Sequence, residues 1–135
     1  MGADPIVVSV AMLSAQQVDG RATDVGAPGG HQYIHGFLVR KSGKTHGTGQ
    51  RVEGFREPGT RVVIVDDVCT TGASTIQAIE AANEFGFQIV GVMCLVERQE
   101  SLGRPGVEAA AAGVPFVSIY TANEVRAEHL LHLKE

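Results

Sequence analysis

Two adjacent carboxylates, Asp66 and Asp67, follow a run of four apolar residues, Val62, Val63, Ile64 and Val65, and precede Thr70, Thr71, Gly72, Ala73 and Ser74. An ionised carboxylate only accepts hydrogen bonds, and leaving one unpaired where water is scarce is costly. The vicinal hydroxyls of a sugar are donors of the matching kind. Side chains alternate along a strand, so two neighbouring acids do not duplicate one another. The Thr-Thr-Gly segment lies between a predicted strand and a predicted helix start, where free backbone N–H groups and the helix dipole favour an anion, phosphate above all. Gly72 lets the backbone approach closely, and the Thr and Ser hydroxyls add donors. Taken apart, the same letters are a turn and an N-cap. Together they describe a receptor for a ribose 5-phosphate.

A second group is basic. From Arg40 to Arg51 the chain carries four fixed positive charges, one histidine and no acid, interleaved with glycines, in a protein whose net charge is −4. Such a stretch suits a lid that grips an anion, neutralises charge on a departing group and keeps water out. Three other features carry less. His46-Gly47-Thr48-Gly49 runs into Gln50 and lacks the Lys-Ser/Thr ending of a nucleotide P-loop. His31 and His35 have metal-ligand spacing only on a helix, and their stretch reads as loop and strand. Cys69, beside acids and hydroxyls, reads as a small filler rather than a nucleophile. Glu97 and Arg98 read equally well as a surface ion pair or as a functional arginine beside an acid.

The elements that must position these groups alternate. Residues 5–17 predict a helix, 19–30 a Gly/Asp/Pro-rich loop and 33–39 a strand. Residues 42–60 predict a long loop with a brief ordered piece near Val52. A strand over 62–65, a helix over 74–84 stopped by Gly86, a strand over 88–96, a short helix over 107–112 closed by Gly113 and a strand over 114–119 follow. Thr121 opens the last helix, with Glu124 at capping-box spacing. Strands separated by helices imply βαβ units and a parallel sheet, the α/β class, whose ligands sit beyond the carboxyl ends of the strands.

Length and composition agree. One domain of 135 residues with 44% hydrophobic and 19% charged residues supports a single core. The acidic balance gives no global pull toward nucleic acid or anionic membrane. No apolar run approaches the ~20 residues of a membrane helix. The first residues lack the charge pattern of a signal peptide, and Ile6 stands where a myristoylation signal wants Ser or Thr. Two cysteines without metal-ligand spacing make no disulfide framework, so a cytoplasmic protein with reduced thiols is expected.

The segment VVIVDDVCTTGAS resembles the phosphoribosyl-pyrophosphate (PRPP) binding motif of the type I phosphoribosyltransferases. VRKSGKTHG over 39–47 resembles the mobile catalytic loop of the orotate phosphoribosyltransferases, and LVERQE over 95–100 resembles the strand end that carries an orotate-contacting arginine; GADPI near the start has the same look. The resemblance implies a type I phosphoribosyltransferase-like parallel sheet flanked by helices. It also implies a single core domain over 1–135, N-terminally shortened, with the N-terminal hood and first core strand absent. By the same resemblance Asp66 and Asp67 take the ribose hydroxyls, and Val68, Cys69, Thr70, Thr71, Gly72, Ala73 and Ser74 wrap the 5-phosphate. Arg40, Lys41, Lys44 and His46 hold the pyrophosphate, with Lys44 and His46 nearest the departing charge; Lys44, His46, Asp66 and Asp67 form the catalytic set. Thr70 and Arg98 contact orotate. No protein metal cage is implied, Mg2+ being carried mainly by the substrate. The implied reaction joins orotate to PRPP, giving orotidine 5-phosphate and pyrophosphate in pyrimidine synthesis, in a cytoplasmic homodimer with shared sites. A non-catalytic PRPP- or nucleotide-binding module, and a transferase for another base, are the alternatives.

Overall fold

A computed structural model describes residues 2–18, 33–40 and 51–133. Lys41, Lys44, His46 and His31 lie outside these described residues, as does the predicted 19–30 loop. The chain opens with helix α1 (Asp4–Val18), close to the predicted 5–17. Strands β1 (Phe37–Val39) and β2 (Val52–Gly54) then pair antiparallel, with Val39 opposite Val52. The predicted strand over 33–39 is thus only its last three residues, and the ordered piece expected near Val52 is the partner strand. One further backbone bond, from Arg40 N–H to Arg51 O at 2.8 Å, extends the ladder and brings together the two ends of the basic stretch.

The second half forms the parallel sheet. Strands β3 (Arg61–Cys69), β4 (Gln88–Glu97) and β5 (Phe116–Thr121) lie in the order β3-β4-β5, both pairings parallel. Helix α2 (Ala73–Phe85) links β3 to β4, and α3 (Gly103–Ala110) precedes β5. Period-two alternation sorts the side chains. Val62 and Ile64 of β3 and Val92 and Cys94 of β4 are buried in one cluster with Ile79 and Ala82 of α2 and Val107 of α3. Full burial of side chains such as Ile79, Val92 and Val107 stabilises by about 1.5–3 kcal/mol each. Val63, Val117 and Ile119, at alternate positions, are exposed. Phe37 of β1 packs on Phe87 with ring centroids 4.7 Å apart, which ties the small ladder to the main core.

Three predicted boundaries move. β3 continues four residues past Val65, through both acids to Cys69, because pairing with β4 extends to Cys69 opposite Glu97. The helix predicted over 107–112 runs instead from Gly103 to Ala110. The strand predicted over 114–119 is shifted to Phe116–Thr121. Two local signals hold as read. Gly86 ends α2 in the left-handed region at φ 94°, its N–H on the last carbonyls of the helix. Thr121 and Glu124 form a reciprocal capping box at the start of α4 (Ala122–His132).

Candidate functional site

The two acids sit near the carboxyl end of β3, an edge strand of the described three-stranded sheet, and are unequal. Asp66 accepts from the buried Thr75 hydroxyl at 2.7 Å through Oδ2 and from the Asp67 backbone N–H at 3.0 Å through Oδ1. Both of its oxygens are therefore held by the protein. Burial pushes Asp66 above the ordinary carboxylate range, opposed by the Thr75 hydrogen bond. For Asp67 burial acts upward too, but hydrogen bonds from the Val68 backbone N–H and from the Asp66 side chain outweigh it, and its carboxyl falls below the usual range. Asp67 is thus the member held toward its ionised form, and Asp66, bonded to Thr75 and to the Asp67 N–H, is the member fixed by the protein.

Beyond Cys69 the chain turns through residues 70–72 into α2. Gly72 is the N-cap at φ 76°, a left-handed conformation that an L side chain rarely adopts, and no side chain caps the helix. The first-turn N–H groups of α2 are thus left for another acceptor. A Cβ at Gly72 would also lie 2.7 Å from Val107 Cγ2. Val68 and Cys69 belong to the strand: Cys69 is buried, and its carbonyl accepts the Arg98 N–H at 2.9 Å. The irregular turn itself therefore starts at Thr70, and Val68 and Cys69 of the predicted phosphate wrap are the last two residues of β3.

Asp66, Asp67, Ser74 and Thr75 line a cleft of about 1510 Å³ that Arg40 also lines. Gly2 reaches the same cleft, where a Cβ on it would run into the Asp67 carboxylate. Arg40 pairs with Glu53 at 2.8 Å, both side chains well exposed, an arrangement easily exchanged for an anionic ligand. Arg51 donates to Glu84 at 3.1 Å and to the Gln77 carbonyl at 3.2 Å, anchoring the far stem of the basic stretch to α2. The structure thus brings Arg40, both acids and Ser74 to one cleft, while Thr70, Thr71, Gly72 and Ala73 continue from the acids' strand without lining it.

Arg98 caps the short 3-10 turn Gln99–Ser101, and its side chain, half exposed, pairs with Glu100 at 3.2 Å. The ion pair considered for Glu97 and Arg98 does not form. Glu97 is buried and takes Arg104 instead, through two hydrogen bonds of 2.8 and 2.5 Å. Sequence reasoning missed Thr75 and Arg104, and considered Glu97 only with its neighbour Arg98. Thr75 had a signal: it is the β-branched, hydroxyl-bearing residue next to Ser74 in the first helical turn, where a side chain can face back to the strand end. Cys69 and Cys94 are both buried free thiols, and burial pushes Cys94 up to about 11, in keeping with filler rather than nucleophile. His35 stacks on Phe55 with centroids 4.7 Å apart. Among the described residues no group of three or more His, Cys, Asp or Glu is placed to hold a metal, and no helix is long and apolar enough to cross a membrane.

Comparison with known proteins bears on the same residues. The family pattern of the phosphoribosyl transferase domain matches residues 4–109. The chain is 34% identical over 125 residues to an orotate phosphoribosyltransferase of Aquifex aeolicus and 41% identical over 125 residues to one of Streptomyces avermitilis. Each match covers 93% of this chain and 60% of the relative, so the chain spans about three fifths of these relatives' length. Among solved structures, a phosphoribosyltransferase from Corynebacterium diphtheriae superposes with a TM-score of 0.62 at 34% identity, covering 90% of this chain and 63% of that one. The Mycobacterium tuberculosis orotate phosphoribosyltransferase in complex with PRPP gives 0.56 at 32% identity, covering 67% of this chain and 49% of that one.

Proposed function

This chain belongs to the phosphoribosyl transferase domain family, and we propose that it acts as an orotate phosphoribosyltransferase, moving the ribose 5-phosphate of PRPP to orotate and releasing pyrophosphate. The observation that carries the reading is the continuous path from the Asp66–Asp67 pair, through the left-handed Gly72, to the uncapped first turn of α2. Ionised Asp67 accepts from the ribose hydroxyls, while Asp66, fixed by Thr75, holds its neighbour in register. The N–H groups after residue 70, with the Thr70, Thr71 and Ser74 hydroxyls, take the 5-phosphate. Arg40 leaves Glu53 for the pyrophosphate, joined by Lys41, Lys44 and His46. Departure of pyrophosphate leaves an oxocarbenium-like sugar, so these cations and the fixed geometry do the catalytic work. Arg98 exchanges Glu100 for the orotate carboxylate, a planar fork matched to a planar anion, beside Thr70.

Asp67 offers oxygen ligands to a hard cation, and the Mg2+ would ride mainly on the phosphate and ribose oxygens of the substrate. When bound, Mg2+ supplies neutralisation of phosphate charge. The exposed apolar side chains of α4 and β5, Leu130, Leu131 and Ile119 among them, support a homodimer interface, and the free thiols support a reducing, cytoplasmic setting. The test is the loss of orotate absorbance on mixing this chain with PRPP, orotate and magnesium. Turnover abolished by Lys44→Ala is expected. Saturable PRPP binding without turnover would instead make the chain a binding module.

A further inference from the structure

We propose that Glu97 and Arg104 are positioning residues: their ion pair holds the first turn of α3 against the 70–72 turn and thereby sets the N–H groups that receive the 5-phosphate. The inference rests on the reading that this turn takes a sugar phosphate.

The pair is built as a clamp. Arg104 Nε donates to Glu97 Oε1 at 2.8 Å and Nη2 to Oε2 at 2.5 Å, the bidentate fork that fixes both direction and distance. Ser118 Oγ adds a bond to Glu97 Oε2 at 3.0 Å. On its other side Arg104 donates to the Phe116 carbonyl and to Glu108, each at 3.3 Å, and its guanidinium lies 4.5 Å from the Phe116 ring centroid. One side chain of α3 is thus bound to the last residue of β4 and the first residue of β5. Arg104 holds Glu97 ionised, below the ordinary glutamate range, despite burial.

Next to Arg104 stands Gly103, and there the clamp meets the turn. A Cβ at Gly103 would run into the Thr70 carbonyl and lie 2.9 Å from Gly72 N. From the opposite side, a Cβ at Gly72 would lie 3.1 Å from Gly103 O. The two backbones are in contact with no side chain between them, so a shift of α3 is transmitted directly to the turn. Leu102, just before, is held at φ 52° with its side chain exposed, the one non-glycine residue in the left-handed region among those described. Surroundings that over-determine a strained backbone are what a positioning device requires. Glu97, Gly103 and Arg104, like residues 70–72, lie outside the cleft lining, and the Gly103 backbone is where this group meets the turn.

The test is calorimetric titration of the wild-type chain and of Arg104→Gln and Arg104→Lys with ribose 5-phosphate and, separately, with inorganic pyrophosphate. Misplacing the turn is expected to weaken ribose 5-phosphate about tenfold in Arg104→Gln and less in Arg104→Lys. Pyrophosphate affinity stays at the wild-type value, a selectivity that general loosening of the fold would not produce. Should Arg104→Gln fail to fold, Arg104→Lys and Ser118→Ala, with the Gly72 amide resonance as a second readout, carry the test. Unchanged ribose 5-phosphate affinity in the folded variants would overturn this inference alone. No ribose 5-phosphate binding by the wild-type chain would overturn both it and the function proposed above.

Discussion

Thr75→Val isolates the division of labour within the acid pair. Valine nearly matches threonine in shape, and Thr75 is only 1% exposed, so the substitution removes one hydroxyl and little else. The bond lost is the 2.7 Å donation to Asp66 Oδ2. Hydrogen bonds to charged groups contribute about 1.5–3 kcal/mol. Asp66 is half-buried, so water recovers part of the loss, and the lower end, about 1.5 kcal/mol, is expected. For a chain of this size that corresponds to a fall of about 6 °C in Tm.

The loss should depend on pH in a defined direction. Burial raises the Asp66 pKa from 3.8, and the Thr75 bond opposes that rise. A raised carboxyl pKa means a folded state that holds its proton tightly, so stability declines as pH climbs from the unfolded value through the folded one. Removing Thr75 raises the folded value further and deepens that decline. The gap between wild type and Thr75→Val is therefore full at about pH 7 and narrows toward about pH 3 as Asp66 protonates. Urea unfolding of both proteins across this range measures it. A gap that is negligible at neutral pH, or that widens on acidification, would refute the role given to Asp66.

Two further substitutions probe the frame. Gly72→Ala places a side chain in a left-handed position against Val107 and should cost about 1–2 kcal/mol or more, with phosphate binding weakened in the same calorimetric assay. Thr121→Ala removes the capping box of α4 and should cost about 1 kcal/mol in thermal unfolding, yet leave ribose 5-phosphate affinity unchanged, since Thr121 does not line the cleft.

What could be read from sequence was what neighbours in the chain decide. The capping box needs only Thr121 and Glu124, three residues apart, and the end of α2 needs only Gly86; both are local and both form. The acid pair with its Thr-Gly turn was legible because strand, carboxylates and helix start are consecutive. The extent of β3 was not: hydrophobicity ends at Val65, and only pairing with β4 carries the strand through Asp66 and Asp67. The start of α3 was hidden because Gly103 and Pro105 look like loop residues. A proline in the first helical turn forfeits an N–H that has no helical partner there. Partners distant in sequence were hidden in the same way. Glu97 bonds Arg104 across a turn and Ser118 across a strand pair, while the adjacent Arg98 goes to Glu100.

The central claim is that the pair of acids and the uncapped helix form one receptor for a ribose 5-phosphate, with Asp67 the carboxylate that meets the sugar. Titration of PRPP into the wild-type chain and into Asp67→Asn, followed by calorimetry, tests it most directly. The account predicts saturable binding that Asp67→Asn weakens by about tenfold or more, the loss of a charge-assisted hydrogen bond, with Tm little changed. Equal affinity in the two proteins would contradict it.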